Sequence, residues 1–166
     1  SAHDFSAIGY IFGTKLFENL NIPVGIIESS WGGTKIESWM PKAALLNYDN
    51  IKIPIALSKE QNKQKKPSFL YNAMIHPLVG YGIKGVIWYQ GEANQSKVKE
   101  YRTLFPDLIT SWRSAWGQGN FPFLWVQLAN INKPKQQPGE SKLAELQDAQ
   151  SNTLSLPNTG MAVIND

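Results

Sequence analysis

Two apolar runs with a long amphipathic stretch between them constrain this chain more than any other feature of its sequence. Val86, Ile87, Trp88 and Tyr89 are β-branched or aromatic without interruption, and residues 121–128 (FPFLWVQL) are nearly so. Such runs suit strands covered on both faces in a parallel sheet. Between them Tyr101, Leu104, Phe105, Leu108, Ile109, Trp112 and Trp116 recur at helical spacing, an apolar stripe sustained for about four turns. Strand, helix and strand in that order predict a parallel pair joined by a crossover. Pro106 lies inside the stripe, so the helix either kinks there or is built from two pieces.

The flanking segments extend the alternation. Asp4 and Ser6 are both candidate N-caps for a helix carrying Phe5, Ile8, Phe12 and Leu16 as far as Leu20, with Asn21 and Pro23 ending it. Residues 24–27 (VGII) read as a strand leading into a glycine-bearing loop, and residues 35–46 as partly helical. Residues 47–67 are polar and lysine-rich and read as a surface excursion. Residues 69–81 are densely apolar but interrupted by Pro77 and Gly80, which predicts a broken, buried helix. A loop at 133–139, a second amphipathic helix at 140–154 and a last strand at 161–164 complete the pattern. The expected class is α/β, a three-layer α/β/α sandwich with a mainly parallel sheet, in one domain over residues 1–166.

Composition narrows the partners. The formal net charge is +3, from 16 basic and 13 acidic residues, and part of the excess sits in residues 59–66 (KEQNKQKK), which carry no aromatic side chain. That run reads as a solvated loop, not a nucleic-acid surface. Zero cysteines exclude disulfides and thiolate metal sites. No apolar run reaches the roughly 20 residues of a membrane span, and neither a metal-ligand spacing nor a phosphate-cradling glycine loop is present. No cofactor, nucleic acid or membrane is called for, and the oligomeric state is left open.

Polar groups gather where the strands end. After Tyr89 come Gln90, Gly91, Glu92 and Asn94, placed where open α/β sheets bind ligands; an ordinary turn capping the next helix is the competing reading. Residues 28–34 (ESSWGGT) lack the glycine two before the serine that a nucleophile elbow requires. Gly32 and Gly33 either present backbone amides to an oxyanion or make a tight turn. His76, set between Ile75 and Pro77, reads as structural, and His3 as a mobile terminal residue. The residues alone therefore give polar groups at two strand ends without a complete catalytic set.

Three stretches carry a resemblance: residues 23–40 (PVGIIESSWGGTKIESWM), 70–77 (LYNAMIHP) and 82–94 (GIKGVIWYQGEAN), with 155–163 (SLPNTGMAV) behind them. In this order they closely resemble the sialate O-acetylesterase family, a carbohydrate-esterase branch of the SGNH hydrolases with a flavodoxin-like sandwich. The resemblance implies hydrolysis of O-acetyl esters on sugars by a serine nucleophile with a histidine base from an Asp-x-x-His motif. It also implies an oxyanion hole from the Gly32 amide, with Gly33 its neighbour, and from the Gln90 side chain. Glu92 and Asn94 are expected at the rim with the substrate, Glu92 supporting the loop or orienting the histidine. Neither the family's serine block nor its Asp-x-x-His block is found between Ser1 and Asp166. The chain is thus expected to be a core fragment, incomplete at both ends, inactive alone and drawn from a secreted or periplasmic enzyme. Its expected partner is an O-acetylated sugar or glycan. A non-catalytic glycan-binding module, using exposed members of the six tryptophans and six tyrosines, is the alternative.

Overall fold

A computed structural model describes residues 5–54, 62–130 and 139–164. Asp4, His3, the 133–138 loop and residues 59–61 of the lysine run lie outside the described residues. Contacts gather the chain into two compact units, Ser1–Gly32 and Gly33–Asp166.

The first unit is built on helix α1, Ala7–Leu20. Ser6 caps it, its hydroxyl accepting from Gly9 N at 3.2 Å, and Asn21 in the left-handed conformation closes it through its N–H to Phe17 O. Gly9 and Gly13, one turn apart, are its buried positions. A Cβ at Gly13 would stand 2.9 Å from the Ile26 side chain, so the glycines admit the returning segment. Residues 24–27 therefore do not form the expected strand. They belong to no ladder, and a run with strand-like composition becomes a strand only where a partner's N–H and C=O groups are within reach.

The second unit contains the sheet. Strands β1 (Val86–Trp88), β2 (Phe123–Val126) and β3 (Thr159–Ala162) pair in parallel in that order. Val86 stands opposite Phe123, and Phe123 opposite Thr159. β3 starts two residues before the expected Met161. Among the described residues β1 is an edge strand, and Ile87 and Tyr89 are exposed, so it is not covered on both faces as expected. Helices α3 (Val98–Trp116) and α4 (Lys142–Asn152) make the two crossovers and pack on each other. Pro106 sits inside a continuous α3.

Burial follows the stripe. Tyr101, Leu104, Phe105, Leu108 and Ile109 are all 0% exposed. They meet Trp88, Phe123 and Trp125 on one face of the sheet, with Phe105 5.1 Å from Trp125 and Trp112 6.0 Å from Phe123, centroid to centroid. Edge-to-face rings at this spacing contribute about 0.5–1.5 kcal/mol per pair beyond area burial. Trp112 Nε1 donates to Trp39 O at 2.9 Å, tying α3 to the short 3₁₀ turn Ile36–Trp39 that precedes helix α2 (Lys42–Leu45). At the opposite end of the strands the buried Arg113 donates to Phe121 O, Pro157 O and Asn158 O. Burial lowers its pKa, because the charge has left water.

The broken helix is a π turn, Tyr71–Ile75, followed by a 3₁₀ turn, His76–Leu78. It is only partly buried: Leu70, Tyr71 and Ile75 enter the core while His76 is exposed beside Tyr71, ring centroids 6.0 Å apart. His76, expected to be structural, lies at the surface against Tyr71. Flanking apolar residues in sequence point to different sides once a π turn shifts the register by one residue.

Candidate active site

β1 ends at Trp88, and the chain then turns through Gln90 and Gly91 into the 3₁₀ turn Glu92–Lys97. Gly91 has φ 154°, and a Cβ there would come within 2.9 Å of Leu128 Cδ1 and 3.3 Å of Leu146 Cδ2. Backbone conformation and close packing both call for glycine at this position.

The polar side chains of this turn point inward. Asn94 is 0% exposed. Its Oδ1 accepts from Ile36 N at 3.0 Å and from Gln90 Nε2 at 2.8 Å, and its Nδ2 donates to Glu37 Oε2 at 2.8 Å. Gln90 Nε2 also donates to Thr34 O at 3.0 Å. Both N–H groups of the Gln90 amide are thereby engaged within the protein, while Oε1 is buried with no partner among the described residues. This corrects two expectations. Gln90 holds the Gly33–Thr34 turn rather than presenting a free donor, and Asn94 lies beneath the surface rather than at a rim.

A second set of bonds fixes the Gln90 backbone. Gln150, 0% exposed on α4, donates from Nε2 to Gln90 O at 3.2 Å and accepts Leu128 N on Oε1 at 3.0 Å. Tyr101 OH also donates to Gln90 O, at 3.4 Å. Its hydroxyl pKa is pushed up by burial, so it stays a donor. One buried glutamine thus links the chain just beyond β1 to the chain just beyond β2.

Gly33 has φ 69° and nothing within 4 Å of an added Cβ, so conformation, not space, makes glycine suitable there. Gly32 closes the first unit, and Gly33, Gln90, Glu92 and Asn94 belong to the second. Glu92 is exposed and makes no hydrogen bond or ion pair among the described residues. In the first unit Ser30 Oγ donates to Glu28 Oε1 at 2.7 Å and Ser6 N donates to Oε2 at 2.8 Å. These bonds, that from Ser30 foremost, lower the Glu28 pKa.

Sequence reasoning missed Thr34, Glu37, Tyr101 and Gln150 as members of this cluster. Tyr101 was legible only as core, and Gln150 only as one polar residue on an amphipathic helix. No local pattern distinguishes a glutamine that bridges two strand ends from one in solvent.

Residues 4–165 match the carbohydrate esterase family described as sialic acid-specific acetylesterase. Human sialate O-acetylesterase is 37% identical over 183 residues, covering 97% of this chain and 33% of the relative. The mouse enzyme is 32% identical over 199 residues, covering 97% and 37%. A crystal structure of a carbohydrate acetylesterase from Xanthomonas citri superposes with a TM-score of 0.86 at 43% identity, over 100% of this chain and 36% of that one. The chain spans about a third of the length of these proteins. With the match running through nearly its whole length, the chain belongs to the sialic acid-specific acetylesterase family of carbohydrate esterases.

Proposed function

We propose that this chain forms part of the site of a carboxylic ester hydrolase that removes O-acetyl groups from carbohydrates by a serine mechanism of the SGNH type, in a secreted or periplasmic protein. The observation that carries the reading is the Gln90–Thr34–Asn94 cluster at the carboxyl end of β1, which fixes the turn that begins at Gly33. In ester hydrolysis negative charge develops on the carbonyl oxygen, and backbone amides held in advance stabilise it without reorganising. Gly33 supplies such an amide in this proposal. Gln90 and Asn94 position the turn, and exposed Glu92 stands at the substrate side.

The test is acetate release from O-acetylated sialic acid and from an aryl acetate by the full-length protein, wild type against Gln90→Ala. A positioning role predicts a kcat lower by about 10²-fold, the order seen when an oxyanion donor is lost, with KM changed much less. A melting curve on each protein separates lost positioning from lost folding. Sugar binding without hydrolysis by the wild type would favour the glycan-binding alternative, and an unaltered kcat in a folded Gln90→Ala variant would remove Gln90 from the site.

A further inference from the structure

We propose that Gln150 is a positioning residue for the turn at Gly33, acting on it through Gln90; the reaction it serves is the ester hydrolysis proposed above, on which this assignment rests. Helix α4 buries Leu143, Leu146, Ala149 and Gln150. The first three make an apolar stripe, and a fourth apolar side chain would extend it with no polar group to satisfy. The helix instead buries an amide, which costs free energy unless it finds partners. Gln150 is 0% exposed, and its donor and acceptor ends are both engaged.

Both bonds bear on one turn. Gln150 Nε2 donates to Gln90 O at 3.2 Å, beside Tyr101 OH, which donates to the same carbonyl at 3.4 Å. Gln150 Oε1 accepts from Leu128 N at 3.0 Å, and the Leu128 side chain is the group that a Cβ at Gly91 would meet at 2.9 Å. One amide on α4 thus holds residue 90 directly and backs residue 91 through Leu128. The linkage continues along the Gln90 side chain, whose Nε2 donates to Thr34 O at 3.0 Å and to Asn94 Oδ1 at 2.8 Å. Fixing the Gln90 backbone fixes where that side chain starts, and so where Thr34 and the neighbouring Gly33 amide are held. Misplacing a reacting group by about 1 Å can cost about 10²-fold in rate, so a side chain that touches no substrate can still set kcat.

Two measurements on the full-length protein test this, with Gln147→Met as the control. Gln147 lies on the same helix and donates to Leu128 O at 2.7 Å and Asn130 Oδ1 at 3.2 Å, but makes no hydrogen bond to Gln90. The first measurement, hydrogen–deuterium exchange read by mass spectrometry, needs no turnover. The Ile36 amide reports on the turn, because Asn94 Oδ1 accepts from both Ile36 N and Gln90 Nε2. In Gln150→Met the peptide containing Ile36 should exchange at least about tenfold faster than in wild type, and in Gln147→Met at the wild-type rate. The second measurement is acetate release. Gln150→Met should lower kcat by at least about tenfold with KM changed by less than about twofold, while Gln147→Met keeps the wild-type kcat. In a Gln90→Ala background the effect of Gln150→Met on kcat should vanish, because the two residues act in series. Tyr101→Phe removes only the second donor to the Gln90 carbonyl and should lower kcat about threefold; it decides the matter if melting curves show that Gln150→Met does not fold. Unaltered exchange or kcat in a folded Gln150→Met, an equal effect in Gln147→Met, a full effect in the Gln90→Ala background, or an unaltered Tyr101→Phe where Gln150→Met does not fold would overturn the assignment. An inactive wild type would remove the esterase reading alone, since exchange at Ile36 still decides whether Gln150 holds the turn.

Discussion

Replacing Asn94 with alanine should be among the most damaging single changes in this protein, and its magnitude can be built from the bonds that Asn94 makes. The variant leaves Ile36 N, a buried donor, without its acceptor, at about 1–3 kcal/mol. It strips the nearly buried Glu37 of the Asn94 donor, and hydrogen bonds to charged groups are worth about 1.5–3 kcal/mol. It also frees one N–H of Gln90, which is only partly buried and regains water at small cost. Together these give about 4 kcal/mol, or roughly 8–16 °C in Tm for a chain of this size. Urea unfolding followed by tryptophan fluorescence measures it, since Trp39, Trp112 and Trp125 lie in the core and Trp88 packs against it. Asn94→Asp provides the control: it keeps the shape and the acceptor for Ile36 N but sets a carboxylate against Glu37, so it should be at least as unstable as the alanine variant. A loss below about 1 kcal/mol for Asn94→Ala, or a stable Asn94→Asp, would refute the buried network as described.

Three further outcomes are expected. Gly91→Ala should cost about 3 kcal/mol, combining backbone strain at φ 154° with a clash against Leu128; a melting midpoint within 2 °C of wild type would show that the turn relaxes freely. Arg113→Met keeps most of the side-chain volume but leaves Phe121 O and Pro157 O without the donors they now have, a loss of about 3 kcal/mol in urea; a gain in stability would mean that burying the unpaired charge outweighs its bonds. Tyr48 has its pKa pushed up to about 12, first by burial and then by its hydrogen bond to Asp107. A raised folded pKa contributes stability that is complete below the unfolded value near 10 and is lost as pH rises toward 12. Tyr48→Phe should therefore remove the part of the alkaline destabilisation between about pH 10 and 12 that wild type shows, as read by paired melts across that range.

Periodicity made the long helix legible because a stripe that recurs every three to four residues has one structural solution, and α3 buries the stripe as its spacing demands. The caps Ser6 and Asn21 were legible for the same local reason: the groups they satisfy lie within one turn. Residues 24–27 mark where that kind of inference stops. Their β-branched composition is a preference, and Ile26 instead packs into the face that Gly9 and Gly13 leave open. The candidate site divides along the same line. Gln90, Gly91 and Asn94 announced themselves as polar residues after an apolar run, but their direction did not, and the distinction between rim and interior fell to partners 56–58 residues away, Thr34, Ile36 and Glu37.

By itself the sequence determined the class of this protein, its order of strand, helix and strand, the faces that α3 buries and the place in the chain where polar groups collect. These are consequences of local spacing and of which side chains leave water. Only the tertiary structure decided that β1 lies at an edge of the sheet formed by the described residues, that His76 is outside and Asn94 inside, and that Gln150 joins two strand ends. Hydrogen bonds and electrostatic fields depend on distance in space, and the fold alone sets the distance between residues far apart in the chain.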